Sequence, residues 1–286
     1  MTGTDRRGDV VVGVDPVRNW HLALAWAADE ADRRGVGLRL VVAVPPPHDG
    51  QHPADTTRHA ARTTAGREAL RTALDWARAR RPAVTAASAL FDGSPVAVLT
   101  GQSRGASMVV LGSRHLSRTE EFLSSGSLVV PVTARAECPV VVVGDAEHVT
   151  QEPAYLVVGV DGSASSGVAL DLAFEEADLR RCELRAVAVR QQPVFSPHTD
   201  DTLFHAERRL LAETTAGRAQ RYPDVRLTHE VLTGSPVETL AQAAEHALAV
   251  VVGRRGRGGY TGMRVGSVVH GLLHRAHCPV ITVPDV

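Results

Sequence analysis

The chain is expected to fold as an α/β protein made of two tandem, open, parallel five-stranded sheets flanked by helices. An internal repeat, an alternation of strand-like with helix-like runs, and the valine-rich content of the strand-like runs carry that expectation. Laid side by side, the two halves match: residues 11–16 read VVGVDP and residues 157–163 read VVGVDGS. Glu30-Ala31-Asp32 recurs as Glu176-Ala177-Asp178 at a separation of 146, Gly93-Ser94-Pro95-Val96 as Gly234-Ser235-Pro236-Val237 at 141, and Cys138-Pro139-Val140 as Cys278-Pro279-Val280 at 140. Matches in one order along the whole chain indicate duplication of a domain-sized unit, too long for a solenoid repeat. The expected units are 1–145 and 154–286, with the polar stretch 145–153 between them.

Each unit alternates the two periods in the way that places helices over a parallel sheet. In the first, strands are expected at 10–14, 38–44, 84–90, 108–111 and 140–143, with helices at 20–33, 56–80, 95–103 and 128–135. In the second, strands are expected at 156–160, 184–189, 225–232, 249–252 and 280–283, with helices between them. Near-continuous Val and Leu suits strands buried on both faces. Each crossover should be right-handed. Pro45-Pro46-Pro47, and the region between Pro193 and Pro197, mark exposed loops after the second strand of each unit.

Composition narrows the chemistry. The 286 residues carry 31 basic and 32 acidic side chains, a formal net charge of -1, so no overall field favours nucleic acid or an anionic membrane. The chain contains no lysine, which excludes a Walker A loop, a protein kinase and a pyridoxal phosphate Schiff base. Its three cysteines, Cys138, Cys182 and Cys278, form no CxxC pair, and a reducing cytoplasm is the expected location. A polar start, and no apolar run of membrane-spanning length, argue against export and membrane insertion.

The most informative segment is 250–268, VVVGRRGRGGYTGMRVGSV, which leaves a buried strand, passes six glycines and enters an apolar-striped helix. Glycines let backbone N–H groups approach an anion, and a helix start favours negative charge, so this is a candidate phosphate cradle. Ser267 can cap that helix or donate its hydroxyl to the anion. Val268, Val269, Leu272, Leu273 and Ala276 share one helical stripe that should pin the helix to the sheet. Arg254, Arg255, Arg257 and Arg264 supply positive charge where a triphosphate would otherwise meet lysine. A solvated loop with incidental arginines is the competing explanation.

Gly253, Gly256, Gly266 and Ser267 stand as G-x2-G-x9-G-S. With the hydrophobic strand ending at Val160-Asp161, this spacing resembles the nucleotide-binding motif of universal stress proteins, and the duplication resembles their tandem two-domain form. The resemblance implies sheets of the Rossmann-like, adenine-nucleotide hydrolase-like type, with ATP, with or without magnesium, at the carboxyl ends of the strands. It implies that Asp161 meets the ribose, that Val189 borders adenine, and that Gly253, Gly256, Gly266 and Ser267, with Val268 following, hold the phosphates. It also implies association through the final strands, 140–143 and 280–283, by which the two units of one chain could pair, and two chains could add a homodimer.

The first unit departs from the pattern. Gly126-Ser127 matches Gly266-Ser267, and Asp15 is available for ribose, but Gly112 is followed three places on by His115 where the motif has glycine. Pro131, opposite Gly271, is expected about four positions into its helix, where it would remove an early helical hydrogen bond. High-affinity binding is therefore assigned to the second unit, and binding by the first is left open.

Other signals carry less. Gly101-Gln102-Ser103-Arg104-Gly105 has the GxSxG spacing of a nucleophile elbow, but a helix-like run precedes it where a strand is needed. His270, His274 and His277 face away from the apolar stripe without a carboxylate or cysteine to complete a metal site. Cys138 and Cys278 read as small buried residues, and Trp20, Trp26 and Trp76 as core. Three functions remain: an ATP-binding regulator with unidentified protein partners in stress or dormancy, a slow ATPase or nucleotidyl-transfer enzyme, and a nucleotide-independent interaction scaffold. The regulator ranks first because, apart from Asp161, the motif carries no carboxylate to act as base or metal ligand.

Overall fold

The computed structural model describes residues 8–47, 53–113, 128–144, 148–191, 201–257 and 264–285. The chain divides into two units, Met1–Gly144 and Asp145–Val286. In the first, β1 (Val10–Gly13), α1 (His21–Arg34), β2 (Leu38–Val44), α2 (Pro53–Arg80), β3 (Ala86–Asp92), α3 (Pro95–Gln102), β4 (Met108–Gly112), α4 (Val129–Thr133) and β5 (Val140–Val143) follow in order. The second runs β6 (Tyr155–Gly159), α5 (Ala164–Arg180), β7 (Glu183–Arg190), α6 (Asp201–Arg221), β8 (Leu227–Thr233), α7 (Pro236–Ala243), β9 (Ala249–Gly253), α8 (Ser267–Arg275) and β10 (Val280–Val283).

Strands pair in the order β3-β2-β1-β4-β5 in the first unit and β8-β7-β6-β9-β10 in the second. Every pairing within each sheet is parallel. The expected open parallel α/β architecture is thus present in both halves. The central strands are buried because helices cover both faces: Val10, Val12, Val109, Leu156, Val158 and Val250 are all essentially inaccessible. Alanines at helical spacing, Ala23, Ala27 and Ala31 on α1 and Ala169, Ala173 and Ala177 on α5, let those helices lie close against the sheet.

Element ends follow local chemistry. Strands β3 and β8 begin two residues later than the valine runs suggest, because Val84 and Val225 belong to the turns that close the preceding helices. Their N–H groups donate to Arg81 O at 3.1 Å and Tyr222 O at 3.2 Å. Helix α1 ends at Gly35, whose φ of 64° is the left-handed cap that glycine adopts without penalty. The matching position after α5 is Arg181 at φ 51°, a non-glycine in the same cap. Part of the polar stretch between the repeats is held to the second unit: His148 Nε2 lies 2.8 Å from Ala247 O, and Gln151 N donates to His246 O at 3.0 Å.

In both sheets the order reverses at the first strand, so β6 lies between β7 and β9, whose crossovers leave in opposite directions. Such a switch point opens a crevice at the carboxyl ends of the strands.

Candidate functional site

In the second unit that crevice is a cleft of about 460 Å³ lined by residues from the ends of β6, β7 and β9 and the start of α8. Its size falls within the roughly 300–1,000 Å³ of small-molecule sites. Asp161, Val189, Gly253, Gly256, Gly266, Ser267 and Val268, the site residues expected for this unit, all line it. One end is apolar, with Val187, Val189, Pro236 and Leu240; the other is polar, with Asp161, the glycines, Arg255 and Arg257.

The polar end is organised around Asp161. Its Oδ1 accepts from the Ser163 N–H at 2.9 Å, and its Oδ2 accepts from the Arg257 N–H at 2.8 Å. Burial disfavours its charge, but hydrogen bonds from Ser163, Arg257 and Ser166 outweigh that and hold its carboxyl below the usual carboxylate range. The carboxylate thereby ties the loop after β9 to the segment after β6. A Cβ on Gly256 would sit 2.5 Å from Asp161 Oδ2, so glycine here is what lets the carboxylate reach the Arg257 amide. A Cβ on Gly253 would meet Ser165 Oγ at 2.4 Å and the Ser165 backbone C and O at 2.7 Å. That glycine serves the close approach of β9 to the first turn of α5.

Gly266 closes the loop: its N–H donates to Arg254 O at 2.9 Å and its O accepts from the His270 N–H at 3.0 Å. Gly266 is the residue that caps α8, with φ -68° and ψ 154°, and no side chain caps this helix. Ser267 is therefore not the cap that its sequence position suggested; it is the first helical residue, exposed at the cleft. The expected stripe anchors the helix, with Val269, Leu272 and Ala276 buried and Val268 and Leu273 half-buried. Arginines crowd the loop. Burial, then the charges of Arg255 and Arg264, press the Arg254 pKa below its ordinary value, against the opposing pull of Asp285. Such a gathering of cations favours an anionic ligand.

The described part of the first unit repeats the i,i+2 turn at its aspartate and differs in the second contact. Asp15 Oδ1 accepts from the Val17 N–H at 3.0 Å and Oδ2 pairs with Arg18 at 3.0 Å, so this carboxylate is engaged by its own turn. Helix α1 has Trp20 at its cap without a side-chain hydrogen bond, whereas Ser163 Oγ caps α5 by accepting from the Ser166 N–H at 3.1 Å. Gly112 ends β4 in an exposed position where a Cβ would meet nothing closer than Ala23 Cβ at 3.8 Å. Gly126, Ser127 and His115 lie outside the described residues. Pro131 is the third residue of α4, where an amide has no intrahelical acceptor, so it does not remove the early hydrogen bond that was expected; Val132 N still donates to Leu128 O at 3.0 Å.

The secondary signals resolve simply. Ser103 is buried, donating to Thr100 O at 2.7 Å and accepting from the Glu137 N–H at 3.0 Å, so its hydroxyl is structural. Trp20 is buried and meets Trp76 edge-on with ring centres 6.4 Å apart. Burial pushes the Cys138 and Cys278 thiols up to about 12. Among the described residues, no group of three or more His, Cys, Asp or Glu side chains is placed to hold a metal ion, and no helix is long and apolar enough to cross a membrane. Sequence reasoning missed Val187, Pro236, Leu240 and Ser165. The repeated Gly-Ser-Pro-Val carries Pro236 as a sign of duplication, but nothing in it says that Pro236 faces the cleft.

The sequence profile of the universal stress protein family matches residues 7–144 and 155–284. The chain belongs to the universal stress protein family. Universal stress protein Mb2028c of Mycobacterium bovis is 35% identical over 98% of both chains. Universal stress protein Rv2623 of Mycobacterium tuberculosis is 35% identical over 95% of both. Among solved structures, a universal stress protein from Archaeoglobus fulgidus shares the fold, with a TM-score of 0.74 at 18% identity over 98% of this chain and 97% of that one. The two matched spans coincide with the two sheets, so each half is a universal stress domain.

Proposed function

We propose that this universal stress protein is an ATP-binding regulator whose second unit holds the nucleotide in the cleft at the ends of β6, β7 and β9. The observation that carries this reading is the joining of three parts that the sequence keeps separate. The carboxylate of Asp161, the glycine loop and the N-terminus of α8 converge on the polar end of a cleft whose other end is apolar. A nucleotide has the matching polarity: an apolar base for Val187, Val189 and Leu240, ribose hydroxyls for the remaining lone pairs of Asp161, and phosphates for the loop amides, Ser267 and the arginines.

The same features favour regulation over rapid turnover. Both oxygens of Asp161 already accept backbone N–H groups, and its charge is stabilised, so it is a poor general base. A ligand that bridges Asp161, the loop and α8 would order the surface that other proteins meet, in a stress or dormancy response.

Calorimetric titration of the nucleotide-stripped protein with ATP and magnesium tests this, using wild type, Gly266→Glu and Gly126→Glu. A Cβ on Gly266 would already touch Arg254 O at 3.4 Å and Arg255 Cα at 3.5 Å, so a longer side chain must enter the loop. The expected result is one site, abolished by Gly266→Glu and untouched by Gly126→Glu. No binding by folded wild type would favour the scaffold.

A further inference from the structure

The two cleft-lining arginines are held in different ways. Arg257 directs its guanidinium to a neutral acceptor, Gly162 O, at 3.3 Å. Arg255 instead pairs with the carboxylate of Asp285, which follows β10 and does not line the cleft. The Arg255 backbone is fixed: its N–H donates to Ser165 Oγ at 3.4 Å, and its Cα lies against Gly266. Its side chain is 51% exposed, so the guanidinium is the part of this residue that can move. Asp285 is also approached by Arg254 Nη2 at 3.9 Å and by the Ser165 hydroxyl, so the carboxylate stays in place when Arg255 leaves. The sequence repeats the pair: Arg114 stands two places after Gly112 as Arg255 does after Gly253, and Asp145 stands two places after Val143 as Asp285 does after Val283.

We propose that Arg255 is the residue with which the cleft distinguishes polyphosphate from monophosphate nucleotides, and that Asp285 weakens the contact by competing for the same guanidinium. The proposal rests on the cleft being a nucleotide site. A phosphate chain extending past the loop offers Arg255 oxygens carrying more charge than one carboxylate, in bidentate geometry, and draws it from Asp285. Breaking the Arg255–Asp285 pair subtracts from the affinity for ATP. A nucleoside monophosphate carries no such chain and leaves the pair intact, so its affinity does not depend on the pair.

The test is calorimetric titration of the full chain with ATP and with AMP, using wild type, Asp285→Asn, Arg255→Gln and the double variant, with thermal unfolding as the check on folding. Removing a partly exposed competitor should tighten ATP by about two- to fivefold. AMP affinity should move less. Arg255→Gln should narrow the preference for ATP over AMP, and in that background Asp285→Asn should have no further effect. Asp285→Asn binding ATP no tighter than wild type, or shifting AMP as much as ATP, overturns the proposal. An unchanged ATP preference in Arg255→Gln overturns it independently, even if Asp285→Asn fails to fold. Wild type that binds neither nucleotide refutes the nucleotide reading itself, whereas binding of both with no change among the variants refutes only the role of the pair.

Discussion

At the scale of single residues, the glycines of the loop divide by what crowds them. Gly256 faces the movable carboxylate of Asp161, whereas Gly253 faces the backbone of Ser165, which cannot give. Gly256→Ala should therefore lower stability by only about 1 kcal/mol, because the carboxylate gives up its solvent-exposed bond to the Arg257 amide without a backbone clash, but weaken ATP binding by about tenfold. Gly253→Ala should cost about 1–3 kcal/mol of stability as well, the usual range for a side chain forced into a packed site. Thermal unfolding with calorimetry separates the two. Asp161 also sets a pH dependence. Because its folded carboxyl is held below the usual range, its contribution to stability is complete above the ordinary carboxylate pKa of 3.8 and is lost as pH falls through the lower folded value. Denaturant unfolding at pH values from 5 down to about 2 should show a shallower decline for Asp161→Asn than for wild type. An equal slope in both would mean that the carboxylate gains nothing from its hydrogen bonds in the folded protein.

At the scale of elements, the helices that follow the first strand of each unit start in different ways. Ser163 caps α5 within the segment that also supplies Asp161, while α1 starts later, after Trp20, with no side-chain cap. Ser163→Ala should lower stability by about 1 kcal/mol, the usual cost of a lost serine cap, and chemical denaturation measures it. Strand positions were legible because near-continuous Val and Leu suits burial on both faces, so β2, β5 and β10 start and end where expected. Strand starts after a long helix were less so, since Val84 and Val225 look like strand residues until the closing turn claims their amides. The same limit applies to the site. Glycine spacing locates the loop, but the steric reasons for Gly253 and Gly256 lie in Ser165 and Asp161, about 90 residues earlier in the chain. No local pattern encodes such contacts.

At the scale of the whole molecule, duplication gave two sheets with the same strand order and left their ligand chemistry free to diverge. In the second half Asp161 reaches the glycine loop through Oδ2, while among the described residues of the first half Asp15 Oδ2 pairs with Arg18. The proposed nucleotide is therefore single and held in the cleft of the second unit. Backbone amide NMR of the uniformly ¹⁵N-labelled full chain, titrated with ATP and magnesium, reads location and stoichiometry together. Saturation at one equivalent, with the largest shifts at Asp161, Ser163, Gly253, Gly256, Arg257, Gly266 and Ser267, is the predicted result. Shifts centred on Asp15 and Gly112 instead, or an unchanged spectrum at millimolar ATP, would contradict it.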